Sequence, residues 1–567
     1  MNNAFPHALS VGYAHLAAWG DLLDRINVFP VADGDTGRNL MMTLSPLRHP
    51  ERDINHTIHD ILFQARGNSG NIASAFFQPF LRGKAQPFRE TVHQGRDCAW
   101  KAVPDPRSGT MLTFFDALAD SSCLVWNQET IKDRLSYLAE AVRCTLHQQD
   151  QLRQAGVIDA GALGMYLFFE GFFPEFLKVD FSAPSMTGKF GDLIRIDTSY
   201  QGGTNHGYCI DVVCKGDLRE PDKFLPSLGE SVITYQDGDY LKVHFHTQNR
   251  DDARRQFASS GEVISWSEDD IYAQTKEFNS PVKQGPIHIM TDAAGSLTRG
   301  EAKKRNITLL DSYINIGNQS FPETCLTADD LYKAMHSGIK VSTAQASRME
   351  RFCCYARVME SYARVLYLCV GSVYTGNYQT VLDWKKDYDP QGRMTVIDTG
   401  AASGRLAVLA LAAASFAEQA SSFQEVIDFS KEAVNCAEEY IFLDKLEHLA
   451  AGGRISKTGA FLGDLLHMKP VVTPAADGAR KVGLCKSKKE QEEFALKFLE
   501  SKLKKDAKAL ILLEYSDSTL ELEGLLKSLQ IKYSESYIMS VPLSLTSGAH
   551  MGPGTWAVAF LPLQGKV

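Results

Sequence analysis

The hydrophobic pattern changes period twice along 567 residues, which makes this chain a succession of domains built on different architectures. Up to about residue 185, apolar residues recur at three and four spacings, as in 58–63, 71–81, 111–118, 135–146 and 163–173, with Gly and Pro between the runs. That is the signature of packed amphipathic helices. From about 200 to 275 the alternation is every second residue, which predicts strands. From about 284 onward short buried strands alternate with helical stretches, the pattern of an α/β fold. The Ala-rich run at 406–417 stops at Glu418, too short to span a membrane, and reads as a buried helix.

The most informative stretch in the helical part is N-V-F-P-V-A-D-G-D-T-G-R-N, residues 27–39. Asp33 and Asp35 stand one residue apart, with Gly34 and Gly37 around the second, just before an apolar helix. Such a turn aims two carboxylates at one point and exposes backbone amides at a helix start. Mg2+ takes one or two carboxylates plus phosphate oxygens, and a helix N-terminus favours anions. Taken by itself the motif is also compatible with an ordinary Asp-Gly turn and helix cap. Three further glycine turns enter helices, A-R-G-N-S-G-N at 65–71, P-R-S-G-T-M-L at 106–112 and G-V-I-D-A-G-A-L-G at 156–164. Together the four turns suggest a nucleotide site at one end of a bundle. No Walker A sequence or dinucleotide fingerprint is present, so the usual α/β nucleotide folds are unsupported.

In the second segment, 208–213 and 231–246 alternate, and Gln236-Asp237-Gly238-Asp239 marks a hairpin. Val243 and Phe245 fall on one face of the second strand, and Lys242, His244 and His246 on the other. His244 and His246, with Cys209 from a neighbouring strand, form a candidate zinc set. The plainer alternative is a pair of histidines facing solvent or phosphate. In the third segment 286–292, 365–371, 394–398, 509–513 and 556–561 read as strands of parallel α/β sheets. Hydroxyl-rich stretches at 342–347 and 371–378, with His550 in G-A-H-M-G-P-G, would gather beyond strand ends, where such sheets bind ligands, and suit a carboxylate. A serine nucleophile with His550 as base is the rival, and no G-x-S-x-G elbow supports it.

The order of N-V-F-P-V-A-D-G-D-T-G-R-N, A-R-G-N-S-G, G-T-M-L and V-I-D-A-G-A-L-G resembles the nucleotide-binding domain of the dihydroxyacetone kinase family, and most of all the amino-terminal domain of bacterial fatty acid kinase. The resemblance implies an all-α antiparallel helical barrel that binds ATP and Mg2+ over residues 1–185. It makes Asp33 and Asp35 magnesium ligands and catalytic together with Thr36, with Asn27 as a third metal position. Around the nucleotide it places Asn39, Asn68, Ser69, Gly70, Thr110, Met111, Asp159 and Gly161. G-Y-C and K-V-H-F-H-T are similar to the small α+β middle domain of fatty acid kinase, over 200–275, and imply a functional site there, with Zn2+ on Cys209, His244 and His246.

Residues 284–567 resemble the DegV family of two-lobed α/β fatty-acid-binding proteins, through I-M-T-D, S-T-A-Q-A-S, S-V-Y-T-G-N-Y, A-G-G-R-I-S-K and G-A-H-M-G-P-G. By that likeness Thr343, Ser372, Thr375, Arg454 and His550 surround a lipid carboxylate. The family's T-S-x-P-S appears here as T-A-Q-A-S, and its S-G-T-Y as T-G-N-Y, so the acyl group need not be the usual long saturated chain.

The expected function is an ATP-dependent acyl kinase that phosphorylates a fatty acid carboxylate. The alternatives are a dihydroxyacetone-type kinase and an inactive lipid-sensing protein. A net charge of -9 argues against nucleic acid as a partner. Eleven scattered cysteines without a C-x-x-C pair, and no apparent signal peptide, suggest reduced thiols and a cytoplasmic setting. A homodimer with transient membrane-surface contact is the expected assembly.

Overall fold

Between residues 5 and 177 the regular elements described are all helices, because their apolar stripes can be buried only against one another. The computed structural model describes residues 4–83, 86–200, 206–216, 228–279, 286–445, 448, 468–475, 478–504, 507–517 and 522–563. It divides into two units, 1–280 and 281–567.

In the first unit the helices are α1 (Phe5–Ala18), α2 (Gly20–Arg25), α3 (Thr36–Leu44), α4 (Ile54–Gln64), α5 (Gly67–Arg82), α6 (Phe88–Ala102), α7 (Met111–Ser122), α8 (Ile131–Gln148), α9 (Asp150–Ala155) and α10 (Ala160–Leu177). Helix α10 is apolar all round, and every residue from Ala160 to Phe173 is buried, so the other helices wrap it. An aromatic core forms where α5, α7 and α10 meet, with the Phe76 and Phe115 rings stacked at 4.0 Å. Burying large rings of this kind contributes more than any other side-chain class. Side chains fix where two of the later helices start: Thr110 accepts from Leu112 N–H to begin α7, and Asp159 accepts from Ala162 N–H to begin α10.

The same unit contains a four-stranded antiparallel sheet of β1 (Tyr208–Lys215), β2 (Glu230–Asp237), β3 (Tyr240–Thr247) and β4 (Glu262–Asp270), in the order β2-β3-β1-β4. The hairpin turns at Gly238, as the Asp-Gly signal predicts. One face packs Ile210, Val212, Val243 and Phe245 against Phe257 of the helix Arg250–Ser260. The other face is not solvated: Lys242 and His244 are 1% and 0% exposed. It lies against the start of α5, where the Lys242 ammonium donates to the Ala65 carbonyl at 2.8 Å. The solvent-facing alternative for His244 is therefore excluded.

The second unit begins with a parallel sheet of Ile287–Asp292, Ile307–Leu310, Arg364–Cys369 and Met394–Asp398. The Ala-rich run forms the helix Ser403–Ala417, buried along most of its length as its composition predicts. Residues 341–345 are not a loop beyond a parallel strand; they are an edge of a three-stranded antiparallel sheet with Ser312–Ile316 and Gln319–Pro322. The second large sheet also departs from the expected parallel arrangement. Trp556–Pro562 runs antiparallel between Glu438–Phe442 and Ala509–Tyr515, and among the described residues only Ala509–Tyr515 with Tyr537–Pro542 is parallel there. The cause lies in burial: Leu510, Leu512, Ala559 and Leu561 pack on one face, and Ile511, Leu513, Val558 and Phe560 on the other. Strands covered on both faces are continuous apolar runs whatever their direction, so the run carries no record of polarity.

Candidate functional site

The two aspartates are held by a framework of side chains at the start of α3. Asp24 accepts from the backbone N–H of Gly37 at 2.6 Å and of Arg38 at 3.1 Å, which fixes the first turn. Gly37 is required, because a Cβ there would lie 2.0 Å from the Gly20 carbonyl oxygen. The Asn27 amide donates to Asp33 at 2.9 Å and to the Val31 carbonyl at 2.9 Å, while its oxygen accepts from the Thr36 hydroxyl. Asn27 thus presents its amide nitrogen to Asp33 in this conformation. Asn39 bonds Asp35 from beneath.

Asp33 and Asp35 face each other. Burial, then the neighbouring Asp35 carboxylate, push Asp33 well above the usual carboxylate range. Burial, then the charges of Asp24 and Asp269, raise Asp35 to about 6. Converging carboxylates with so few compensating cations form a place that a divalent ion would stabilise.

These aspartates open into a cavity of about 540 Å³, a volume suited to a small-molecule ligand. Four helices point their N-termini into it, through Thr36 of α3, Asn68 and Ser69 of α5, Thr110 and Met111 at α7, and Asp159 and Gly161 at α10. The sum of four partial positive ends favours a polyanion. The Ser69 hydroxyl is buried without a partner among the described residues, as a donor waiting for a ligand oxygen would be. Apolar side chains complete the wall, including Phe29, Ile72, Val103 and Val232. Two expected contacts lie behind the lining. Asn39 sits under Asp35 and against Gly67, and Gly70 packs on Thr43 between α3 and α5.

The sheet supplies the opposite wall. Cys209 and His246 line the same cavity, and ligand atoms of Cys209, His244 and His246 lie within 4.8 Å of one another. His244 turns Nδ1 toward the Asp211 carboxylate at 3.3 Å and the Cys209 sulfur at 4.0 Å, and its Nε2 is buried with no partner among the described residues. A carboxylate on one imidazole nitrogen with the other nitrogen unpartnered leaves the ring able to bind a metal. Burial, then His244, lower His246 to about 3, so it stays neutral, as a ligand must. Burial and nearby carboxylates push the Cys209 thiol up, so it would ionise only with a cation beside it. The donor set fits zinc. A bulge between Glu230 and Ile233 brings Ser231, at φ 55, onto the cavity wall. Gly229 before it could carry no side chain, since a Cβ would meet the His246 carbonyl oxygen at 1.9 Å.

Sequence reading missed Asp24, Asp211 and Asp269. Asp211 was accessible to it, being two residues from Cys209 and so on the same face of β1. Asp24 and Asp269 carried no signal, because only the fold brings them to the α3 turn. Asp269 pairs with Arg38 at 3.6 Å.

In the second unit the structure brings together Thr343 and His550, with Oγ1 and Nε2 3.0 Å apart. Thr375 accepts from Asn377 N–H at 3.2 Å, and the Ser372 N–H donates to Asp398 at 3.0 Å. Arg351 donates to both Gln345 and Asn377, tying the 341–345 strand to the 372–377 turn. Arg454 lies outside the described residues.

Asp159 gives the first testable consequence. It is 5% exposed, and burial raises its carboxyl to about 7 against 3.8 in an open chain. The folded state therefore keeps a proton that the unfolded state has lost, and this residue's contribution to stability falls as pH rises from about 4 to about 7. The full effect is on the order of 4 kcal/mol. Asn is an equally good cap, so Asp159→Asn should remove this part of the slope, leaving the variant more stable than the parent at pH 8 relative to pH 5. Urea melts at the two pH values measure it.

Comparison with known proteins matches residues 30–173 to the DAK2 domain, 205–278 to a middle domain of the fatty acid kinase-like type, and 286–563 to a family described as uncharacterised protein, DegV family. An uncharacterized protein of Staphylococcus epidermidis is 28% identical over 308 residues, 48% of this chain, which spans about half of that relative's length, 55%. A DegV domain-containing protein of Clostridium perfringens is 28% identical over 280 residues, covering 48% of this chain and 96% of its own. Among solved structures, DegV, a fatty acid binding protein from Bacillus subtilis, aligns with a TM-score of 0.46 at 19% identity, covering 49% of this chain and 100% of its own. A DegV family protein from Thermus thermophilus, described for its fatty acid binding, aligns with a TM-score of 0.45 at 23% identity, covering 49% and 100%.

Proposed function

Because this polypeptide carries a DAK2 domain, a fatty acid kinase-like middle domain and a DegV-family domain, we propose that it is an ATP-dependent acyl kinase. Its acceptor is the carboxylate of a fatty acid carried by residues 281–567, and its product is an acyl phosphate. The observation that carries the reading is the meeting of four helix N-termini in the one cavity that Asp33 and Asp35 also line.

The chemistry asks little of a base. A fatty acid carboxyl with a pKa of about 4 to 5 is ionised near neutrality, so its oxygen is already the nucleophile. That oxygen attacks the γ-phosphorus, the bond from γ-phosphorus to the β,γ-bridging oxygen breaks, and ADP leaves with the bonding pair. The barrier is repulsion between two anions. Mg2+ held by Asp33 and Asp35 would screen the phosphates. The N–H groups of Asn68 and Ser69, and the Ser69 hydroxyl, would receive phosphate oxygens at fixed positions, without reorganisation during transfer. Asn27 and Asn39 hold the two aspartates in register. Zn2+ on Cys209, His244 and His246 would place a second positive charge on the same cavity. Carrier and kinase in one chain raise the local acceptor concentration to ~mM where the connection can span the distance.

The test is ADP release by the full chain with Mg·ATP and oleate or palmitate, with hydroxylamine trapping of the acyl phosphate. Turnover with dihydroxyacetone and none with either acid overturns the reading. In the carrier half, Thr343→Val removes a hydroxyl expected to bond the carboxylate. A hydrogen bond to a charged group is worth about 1.5 to 3 kcal/mol, so oleate affinity should fall roughly 10- to 100-fold. Calorimetry should find Mg·ATP binding unchanged.

A further inference from the structure

Asp211 is neither a ligand of the metal cluster nor a lining residue of the cavity, yet its buried carboxylate makes four contacts from two directions. From the sheet come His244 Nδ1 at 3.3 Å and Lys242 Nζ at 3.5 Å. From the first turn of α5 come the Gly67 backbone N–H at 3.0 Å and the Asn71 amide at 2.6 Å. Lys242 closes the arrangement by donating to the Ala65 carbonyl just before that helix. Between Gly67 and Asn71, Asn68 and Ser69 line the cavity.

We infer that Asp211 is a positioning residue that couples the Cys209–His244–His246 cluster to the phosphate-facing turn of α5, so that zinc and Mg·ATP bind with positive cooperativity. The inference rests on the reading of these two groups as ligand sites. A cation on His244 Nε2 holds the ring with its Nδ1–H on Asp211 and so fixes the carboxylate. The fixed carboxylate in turn holds the Gly67 N–H and the Asn71 amide, ordering the turn before phosphate arrives. Whichever ligand binds second finds part of its ordering already done. Reciprocity requires the same factor in both directions.

The experiment uses the full chain, with zinc affinity from competition against a chromophoric chelator. Calorimetry with a non-hydrolysable ATP analogue and Mg2+ gives nucleotide affinity with and without zinc. Zinc should tighten the analogue by about fivefold or more, and the analogue should tighten zinc equally. Asp211→Asn should bring that factor to about one. Asn71→Ser, which cuts one of the two helix-side contacts and leaves those from the sheet, should lower the factor while leaving zinc affinity within about twofold of the parent. A third readout needs no variant: zinc alone should slow hydrogen exchange in peptides covering 66–71. The inference falls if the parent binds no zinc, if the two ligands bind independently, if both variants keep the parental factor, or if exchange at 66–71 ignores zinc. None of these measurements involves turnover, so loss of the acyl kinase reading would appear separately, as coupling without acyl phosphate.

Discussion

Asp35→Asn should lower fatty-acid-dependent ADP release by on the order of 10³-fold, with Asp33→Asn close behind. Each substitution removes one of the two carboxylates that would hold the ion without changing the size of the side chain. The Asn27 and Asn39 framework gives the new amide somewhere to bond, so the fold should survive, and circular dichroism and a thermal melt check that it does. The two variants should not behave like the parent toward stability. Asp33 and Asp35 oppose each other in a buried site, each carboxyl raised by the other or by its neighbours. Removing one charge relieves that repulsion, and in metal-free buffer near neutral pH the variants should melt at or above the parental temperature. Adding Mg2+ should stabilise the parent and leave the variants nearly unmoved, since only a folded-state ligand shifts the melt. Full turnover in Asp35→Asn would remove the catalytic reading of the α3 turn.

Much of this site was legible in the sequence, for a physical reason. Glycine turns before apolar helices announce both a helix start and a backbone open to an anion, so Ser69, Thr110 and Asp159 were readable as lining residues. The alternation in β3 put His244 and His246 on one face, and pairing across the sheet sets Cys209 opposite His246. What the letters did not convey was that this face is buried against α5, because periodicity gives a side and never what covers it. Asp24 is the plainest case. It sits in a short helix with nothing to distinguish it from a solvated carboxylate, and its task appears only once Gly37 N–H is 2.6 Å away. In the second unit the strands were legible and their directions were not. Leu510 to Leu513 and Val558 to Leu561 are apolar on both faces, and direction is set by connections that leave no period in the sequence.

The metal cluster makes the second large prediction. The parent should bind about one zinc ion per chain, and Cys209→Ser or His244→Ala should weaken it by roughly 10² to 10³-fold, a loss of the size expected when one of three protein ligands goes. Cobalt substitution gives a spectroscopic readout: a thiolate ligand produces a charge-transfer band, which Cys209→Ser should abolish and His244→Ala should only shift. The two variants should differ in stability as well. Cys209→Ser exchanges a thiol that, without metal, is simply a small buried group. His244→Ala empties a fully buried position and strips Asp211 of a partner, leaving its carboxylate facing Lys242 with one fewer donor. The metal-free His244→Ala protein should therefore be the less stable of the two, by about 2 to 4 kcal/mol. Zinc binding by both variants at parental affinity would mean that the three side chains meet for packing alone. In that case the orphaned Nε2 of His244 would need a ligand of another kind, and the cavity would hold the cation of Asp33 and Asp35 by itself.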